Sequence, residues 1–250
     1  MVNHVPSPLD AETIARLCGI DAHRVTVLQT VGSTNELLKE HAKNGTPAGT
    51  TFLAETQTAG RGRLGRPFFS PPGSGLYLST LLHPAEVNPG KLTTLAAVVT
   101  ADAIEAVCGL RVGIKWVNDL YFEGKKLCGI LAEGVGNGLA VLGIGINVSD
   151  CAFPPELAPI VTSLERACGK VPDRNRLAAQ ILARLERADL CGTEHMKEYR
   201  KRSLVLGREV SLPDGNRTLV VGIDDDGTLC TVDTDGTPRR IATGEISIRL

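Results

Sequence analysis

Seven consecutive residues, Gly60-Arg61-Gly62-Arg63-Leu64-Gly65-Arg66, interleave three arginines with three glycines. Glycine at this density weakens helix and strand alike. Three guanidiniums this close repel one another unless an anion lies among them. The pattern predicts a mobile loop whose backbone approaches a ligand closely and whose arginines grip phosphate or carboxylate oxygens in forked geometry. A solvated surface turn is the plainer alternative. The flanking stretches 50–55 and 76–82 read as strands, so the loop interrupts ordered sequence and is not part of a disordered tail.

Three further groups of residues have chemical potential. In Lys115-Trp116-Val117-Asn118-Asp119 a cation, an amide and a carboxylate fall at a strand end, and Lys126 returns across a Glu123-Gly124 turn. Asp119 suits Mg²⁺ through its carboxylate, as in phosphate-handling sites, and Lys115 and Lys126 suit phosphate oxygens. An ordinary turn with solvated lysines explains the same residues equally well, and Trp116 reads as core. Gly143-Ile144-Gly145-Ile146-Asn147 places glycines on one face of an apolar strand, which admits a ligand or another backbone. Asn147 would then read a base or a carboxamide, unless the glycines serve only tight sheet packing. Ser33 and Glu36 have capping-box spacing, which accounts for Ser33 without a ligand. A helix N-terminus there also exposes N–H groups to a polar or anionic ligand, and Gln57 supplies an amide nearby.

These residues need elements to hold them. Asp10 caps a short helix ending at Gly19, and a strand over 25–29 leads to a helix from Ser33 to about Lys43, stopped by Gly45. A long amphipathic helix runs from about Lys91 to Val107, with Leu92, Leu95, Ala96, Val99 and Ala103 inward. Strand-like segments follow at 111–117, 126–135 and 139–148 as a meander. One helical stretch runs from Asp173 to about Arg202. Beyond it, short strands are separated by Asp214-Gly215, Asp226-Gly227 and Asp235-Gly236, each a tight-turn signal, and predict a small barrel.

The 250 residues carry a net charge of −1 with 42% apolar residues. No global basic field draws nucleic acid or anionic membrane, so anion binding must be local. Seven cysteines without a C-x-x-C pattern argue against a disulfide framework or a zinc site and for a reducing compartment. The N-terminal run lacks an apolar signal core and no segment reaches membrane-spanning length. A cytoplasmic location is expected.

Taken in order, these motifs resemble the biotin protein ligase family over nearly the whole chain. The resemblance rests on Ser33-Thr34-Asn35, on Glu55 and Gln57 followed by 59–66, and on Lys115-Trp116 with Asn118-Asp119. It continues through Lys126-Leu127, Gly129-Ile130-Leu131, the 143–147 strand and Gly244-Glu245-Ile246-Ser247. Val117 departs from the family, which has proline there. The resemblance implies an α+β fold: a mixed-sheet biotin/lipoate ligase-type catalytic domain over 1–202, then an SH3-like β-barrel over 203–250.

It also implies a reaction. The biotin carboxylate attacks the α-phosphate of ATP, with Mg²⁺, to give biotinyl-5′-AMP and pyrophosphate. A lysine of a biotin carboxyl carrier protein domain then attacks the anhydride. Carried over, Ser33, Thr34, Asn35, Gln57, Arg61, Gly62, Arg63, Lys126, Gly129, Ile130, Gly143 and Gly145 contact biotin. Arg63, Arg66, Phe68, Asn118, Asp119, Lys126 and Asn147 face the nucleotide. Asp119 meets the metal, and Lys126 and Arg63 are catalytic. Only 32 residues precede the Ser-Thr-Asn motif, so an enzyme without operator binding is expected, as a monomer or homodimer. A lipoate or octanoate ligase on the same fold is the nearest rival, and a non-enzymatic sensor or nucleic-acid module a more distant one.

Overall fold

The computed structural model describes residues 7–84 and 87–248. The first six residues, from the N-terminal run read above, and the closing Arg249-Leu250 lie outside that range. Helix α1 (Ala11–Cys18) is capped as the sequence predicts, with the Asp10 carboxylate accepting from the Thr13 N–H at 2.7 Å and Gly19 left-handed at φ 76. The elements that follow are β1 (Val25–Val31), α2 (Thr34–Lys43), β2 (Thr51–Gln57), β3 (Gly75–Leu82) and α3 (Pro89–Cys108). Then come β4 (Gly113–Lys115), β5 (Asp119–Phe122), β6 (Lys125–Gly136) and β7 (Leu139–Asn147).

Together β1 to β7 form one mixed sheet in the order β1-β2-β3-β7-β6-β5-β4, with β1 and β2 parallel and the other pairs antiparallel. Alternation along β7 separates two environments. Leu142, Ile144 and Ile146 face the main core, which also holds the buried side of α3. Val141 faces the other way, into a small cluster with Leu38 and Ala42 of α2. By the same two-residue period, Gly143, Gly145 and Asn147 share the α2 side of the sheet.

Two short helices, α4 (Leu164–Cys168) and α6 (His195–Arg202), flank α5 (Arg174–Arg187). The sequence led us to expect one helix from Asp173 to Arg202. Asp173 does cap α5, but Ala188 takes an extended backbone, and Asp189 and Gly192 turn the chain before α6. The fully buried Arg174 (1% exposed) pairs with Glu55 at 2.7 Å and donates to the carbonyls of Gly75 and Ser7, stitching α5, the sheet and the N-terminal segment together.

A second, antiparallel sheet is built from β8 (Glu209–Ser211), β9 (Arg217–Ile223), β10 (Leu229–Asp233) and β11 (Pro238–Ile241), in the order β11-β10-β9-β8. Gly215, Gly227 and Gly236 have φ near +86 at the three predicted Asp-Gly turns. A bridge between Ser211 and Ser247 brings the chain end back onto β8, as in an SH3-like barrel. The two sheets meet through the Trp116 indole, which donates to the Gly227 carbonyl at 2.8 Å, and through Arg200, which donates to the Ile223 carbonyl at 2.7 Å.

One strand escapes the sequence reading. Asn118-Asp119 looks like the end of a strand, yet Asp119 begins β5, which pairs with β4 and β6. Four residues between two turns are too short to show a period, and only pairing on both sides makes them a strand. The Trp116–Val117 peptide is cis, at the position where the resemblance leads one to expect proline.

Candidate active site

A single register row crosses five strands. Tyr77 of β3 lies opposite Gly145 of β7, Gly145 opposite Gly129 of β6, Gly129 opposite Asp119 of β5, and Asp119 opposite Lys115 of β4. Two glycines in mid-row leave a trough, and two charged residues stand at its β4 end. The trough belongs to a cavity of about 570 Å³. Of the residues expected at the site, all but Thr34 line it: Ser33, Asn35, Gln57, Arg61, Gly62, Arg63, Arg66, Phe68, Asn118, Asp119, Lys126, Gly129, Ile130, Gly143, Gly145 and Asn147.

The glycines are needed for specific reasons. A Cβ on Gly143 would sit 2.1 Å from Asn35 Oδ1, and one on Gly145 would sit 2.6 Å from the Phe68 ring. The bare strand therefore lets α2 and the arginine loop press onto the sheet. Phe68 lies over the trough, in edge contact with Tyr77 at a centroid distance of 6.4 Å.

At the α2 end the capping-box expectation fails. Ser33 occupies the N-cap position, but its hydroxyl makes no cap bond, and Glu36 pairs with Lys39 at 3.0 Å and Arg61 at 3.1 Å. Gln57 caps the helix from another strand: its Oε1 accepts from the Thr34 N–H at 2.9 Å and the Thr34 hydroxyl at 3.0 Å. Its amide nitrogen donates to Ser70 Oγ at 3.0 Å. The buried Ser79 hydroxyl lies 2.7 Å from Thr34 Oγ1 and 2.5 Å from Asn35 Oδ1. Asn35 Nδ2 donates to Glu133 at 3.1 Å, and Lys39 holds that carboxylate at 2.6 Å. Thr34 is thus a supporting residue behind the wall, and the Ser33 hydroxyl is left to face the cavity.

The arginine loop is folded on itself rather than open. Gly62 donates to the Arg66 carbonyl at 2.7 Å and Phe68 to the Gly60 carbonyl at 2.8 Å, which closes it like a short hairpin. At its tip Leu64 has φ 55 and is 73% exposed. The three arginines do not rely on a bound anion to relieve their repulsion, because each has a protein acceptor. Arg61 pairs with Glu36 at 3.1 Å, and Arg66 with Glu245 at 2.5 Å. Arg63 donates to Asn118 Oδ1 at 3.2 Å and to the Gly244 carbonyl at 3.0 Å. Asn118 also donates to the Ile130 carbonyl at 2.9 Å. Asn147 gives one N–H of its amide to the Thr162 carbonyl at 3.0 Å, which fixes the side chain at the cavity wall.

Lys126 Nζ lies 2.8 Å from Asp119 Oδ1. The contact is an ion pair off the hydrogen-bonding direction, since Asp119 Oδ1 is buried without a hydrogen-bond donor. A buried carboxylate oxygen with no hydrogen bond, beside Lys126, fits Mg²⁺, which keeps most of its shell as water and phosphate. No cluster of three His, Cys, Asp or Glu suited to a metal exists among the described residues, so an ion would enter with ATP and not fill a ready-made cage. Burial pushes the Lys115 ammonium below its usual range, with Lys126 and Arg66 adding to the effect and Asp119 and Glu245 opposing it.

Several cavity residues have no signal in the sequence. Phe153, Leu157, Ile160 and Val161 come from the irregular segment around Pro154-Pro155, which is brought in by backbone bonds, Lys126 N–H to the Ile160 carbonyl and Thr162 N–H to the Lys126 carbonyl, both 2.8 Å. Glu245 and Ile246, by contrast, belong to the closing 244–247 motif already read in the sequence, and arrive from beyond β11. Trp116, expected in the core, is indeed 4% exposed but also lines the cavity.

Residues 27–149 match the model of the biotin/lipoate A/B protein ligase family, and residues 205–249 match that of the biotin protein ligase C terminal domain. The biotin--[acetyl-CoA-carboxylase] ligase of Mycobacterium tuberculosis is 34% identical, with 96% of this chain and 95% of that protein aligned. The bifunctional ligase/repressor BirA of Escherichia coli is 31% identical, over 98% of this chain and 80% of its own length. The solved biotin protein ligase from Aquifex aeolicus in complex with biotin and ATP has a TM-score of 0.79 at 32% identity, covering 89% of this chain and 97% of that one. Fold and cavity together define a biotin/lipoate-type protein ligase. At this identity and coverage, and with the matching C-terminal domain, the chain belongs to the biotin protein ligase family.

Proposed function

We infer that this chain is an ATP-dependent ligase that activates biotin as biotinyl-5′-AMP and transfers it to a lysine of a biotin carboxyl carrier protein domain. The observation that carries the reading is the trough itself. Its α2 end offers neutral polar groups around Ser33, Asn35 and Gln57, and its β4 end offers cations around Lys126. A biotin molecule matches that polarity, with its uncharged ureido ring toward α2 and its carboxylate toward Lys126.

The chemistry then follows from charge. A carboxylate must approach an anionic α-phosphate, and the two repel. Lys126 gives up Asp119 and takes the carboxylate and the α-phosphate oxygens. Arg63 and Arg66 leave Gly244 and Glu245 for the nucleotide. Each charged hydrogen bond formed in the closed site contributes about 1.5–3 kcal/mol, and more as water leaves. Asp119 would hold Mg²⁺, whose charge would offset that of the phosphates. Gly62 and the loop around it cover the anhydride and protect it from water. The carrier lysine attacks after the loop opens, and AMP leaves. No side-chain nucleophile takes part. We place the division between the catalytic part and the barrel at residues 202/203, where α6 ends and the turn-punctuated strands begin.

The test is loading of a carrier domain with labelled biotin against labelled lipoate, with ATP. Biotin-dependent pyrophosphate release followed by labelling of the carrier lysine is the expected result. Labelling by lipoate alone would overturn the reading.

A further inference from the structure

Five cations line the cavity: Arg61, Arg63, Arg66, Lys115 and Lys126. Four have an acceptor within the protein, namely Glu36, the Asn118 and Gly244 oxygens, Glu245 and Asp119. Among the described residues Lys115 has no carboxylate or carbonyl partner. Its ammonium instead leans over the Tyr121 ring, 5.4 Å from the centroid. A half-buried cation costs stability unless an anion meets it, and this one is aimed into a cavity that receives a polyanion.

Its place in the register says which part of that polyanion. Lys115 ends the row that runs through Asp119, Gly129 and Gly145. Strands stand about 4.8 Å apart, so Lys115 lies roughly 14 Å across the sheet from Gly145, on the far side of Lys126 from Asn35. If biotin's ring lies at Asn35 and the α-phosphate at Lys126, the group beyond is the β,γ end of ATP.

We propose that Lys115 holds the departing pyrophosphate, and so serves the first half-reaction and not the second. In that step the biotin carboxylate oxygen bonds to the α-phosphorus while the bond from the α-phosphorus to the bridging oxygen breaks. The bridging oxygen keeps the electron pair, and the new charge on pyrophosphate falls where Lys115 stands. Transfer to the carrier lysine involves only biotinyl-5′-AMP, which has nothing at that position. The inference rests on the ligase reading above.

The experiment compares Lys115→Met and Lys115→Arg with the parent in two assays. One measures biotin-dependent pyrophosphate release from ATP. The other supplies synthetic biotinyl-5′-AMP and measures transfer to a carrier domain. For Lys115→Met, release should fall about 100-fold, the size seen when one charge-stabilising group is lost, while transfer stays within twofold. Inorganic pyrophosphate should also inhibit this variant more weakly. Lys115→Arg should recover much of the release. Equal losses in both assays, or no loss in release, would overturn the assignment. Failure of the ligase reading itself looks different, because the parent would then release no pyrophosphate with biotin.

Discussion

Replacing Gly143 with alanine tests whether bare sheet really lets α2 build the ring-binding end of the cavity. The new Cβ would lie 2.1 Å from Asn35 Oδ1, 2.8 Å from its Cγ and 2.9 Å from Nδ2, so the whole amide is in the way. Ordinary contact begins near 3.4 Å, which requires Asn35 to retreat by more than 1 Å. It cannot do so and keep both its 2.5 Å contact with Ser79 and its 3.1 Å bond to Glu133. Overpacking costs about 1–3 kcal/mol and each lost hydrogen bond about 1 kcal/mol. The expected destabilisation is about 2–4 kcal/mol, or roughly 5–15 °C in melting temperature for a chain of this size. Biotin affinity should fall at least tenfold, measured by calorimetric titration. The double variant with Asn35→Ala removes the amide that clashes, so the two substitutions should couple by at least about 1 kcal/mol in chemical unfolding. A melting temperature within 2 °C of the parent, or strictly additive losses in the double variant, would refute the packing argument.

Lys126→Ala should lower biotin-dependent pyrophosphate release by about 10²–10³-fold, as for loss of a charged transition-state contact. Its melting temperature should change by only a few degrees, checked by scanning calorimetry. Arg63→Gly removes the guanidinium that leaves Gly244 for the nucleotide, a charged contact worth about 1.5–3 kcal/mol. Biotinyl-5′-AMP should then escape roughly tenfold faster in a filtration assay, and lysines of a bystander protein should become labelled. His195 is held near pKa 4 by burial, with its Nε2 2.9 Å from the Thr94 hydroxyl and Asp225, Lys91, Arg200 and Asp189 around it. A folded-state pKa below the unfolded value means that protonation favours the unfolded chain. Its contribution is therefore intact above about pH 6.5 and is lost as pH falls toward 4. The loss should reach about 1–3 kcal/mol once the ring's partial exposure is allowed for, and His195→Gln should flatten that slope in urea titrations.

The amino-acid sequence determined the chemistry and most of the frame. Glycine and arginine at 60–66, the alternating glycines at 143–147 and the Lys115–Lys126 cluster each have an ordinary turn or packing explanation alone, and point to one site when read together in order. Asp10, Asp173 and the Asp-Gly turns act within a few residues, and the structure places them as read. What failed was whatever depends on partners distant in the chain. Ser33 satisfies the capping pattern, yet Gln57, 24 positions on, reaches the helix first and makes the bond. Asp119 to Phe122 becomes a strand only because β4 and β6 lie on either side. In the arginine loop each guanidinium finds an acceptor on another element, which local sequence does not show. Only the tertiary structure lines up Lys115, Asp119, Gly129, Gly145 and Tyr77, because register between strands is set by the packing of both sheet faces and leaves no mark in any one segment. That row decides which cation stands at which end of the trough.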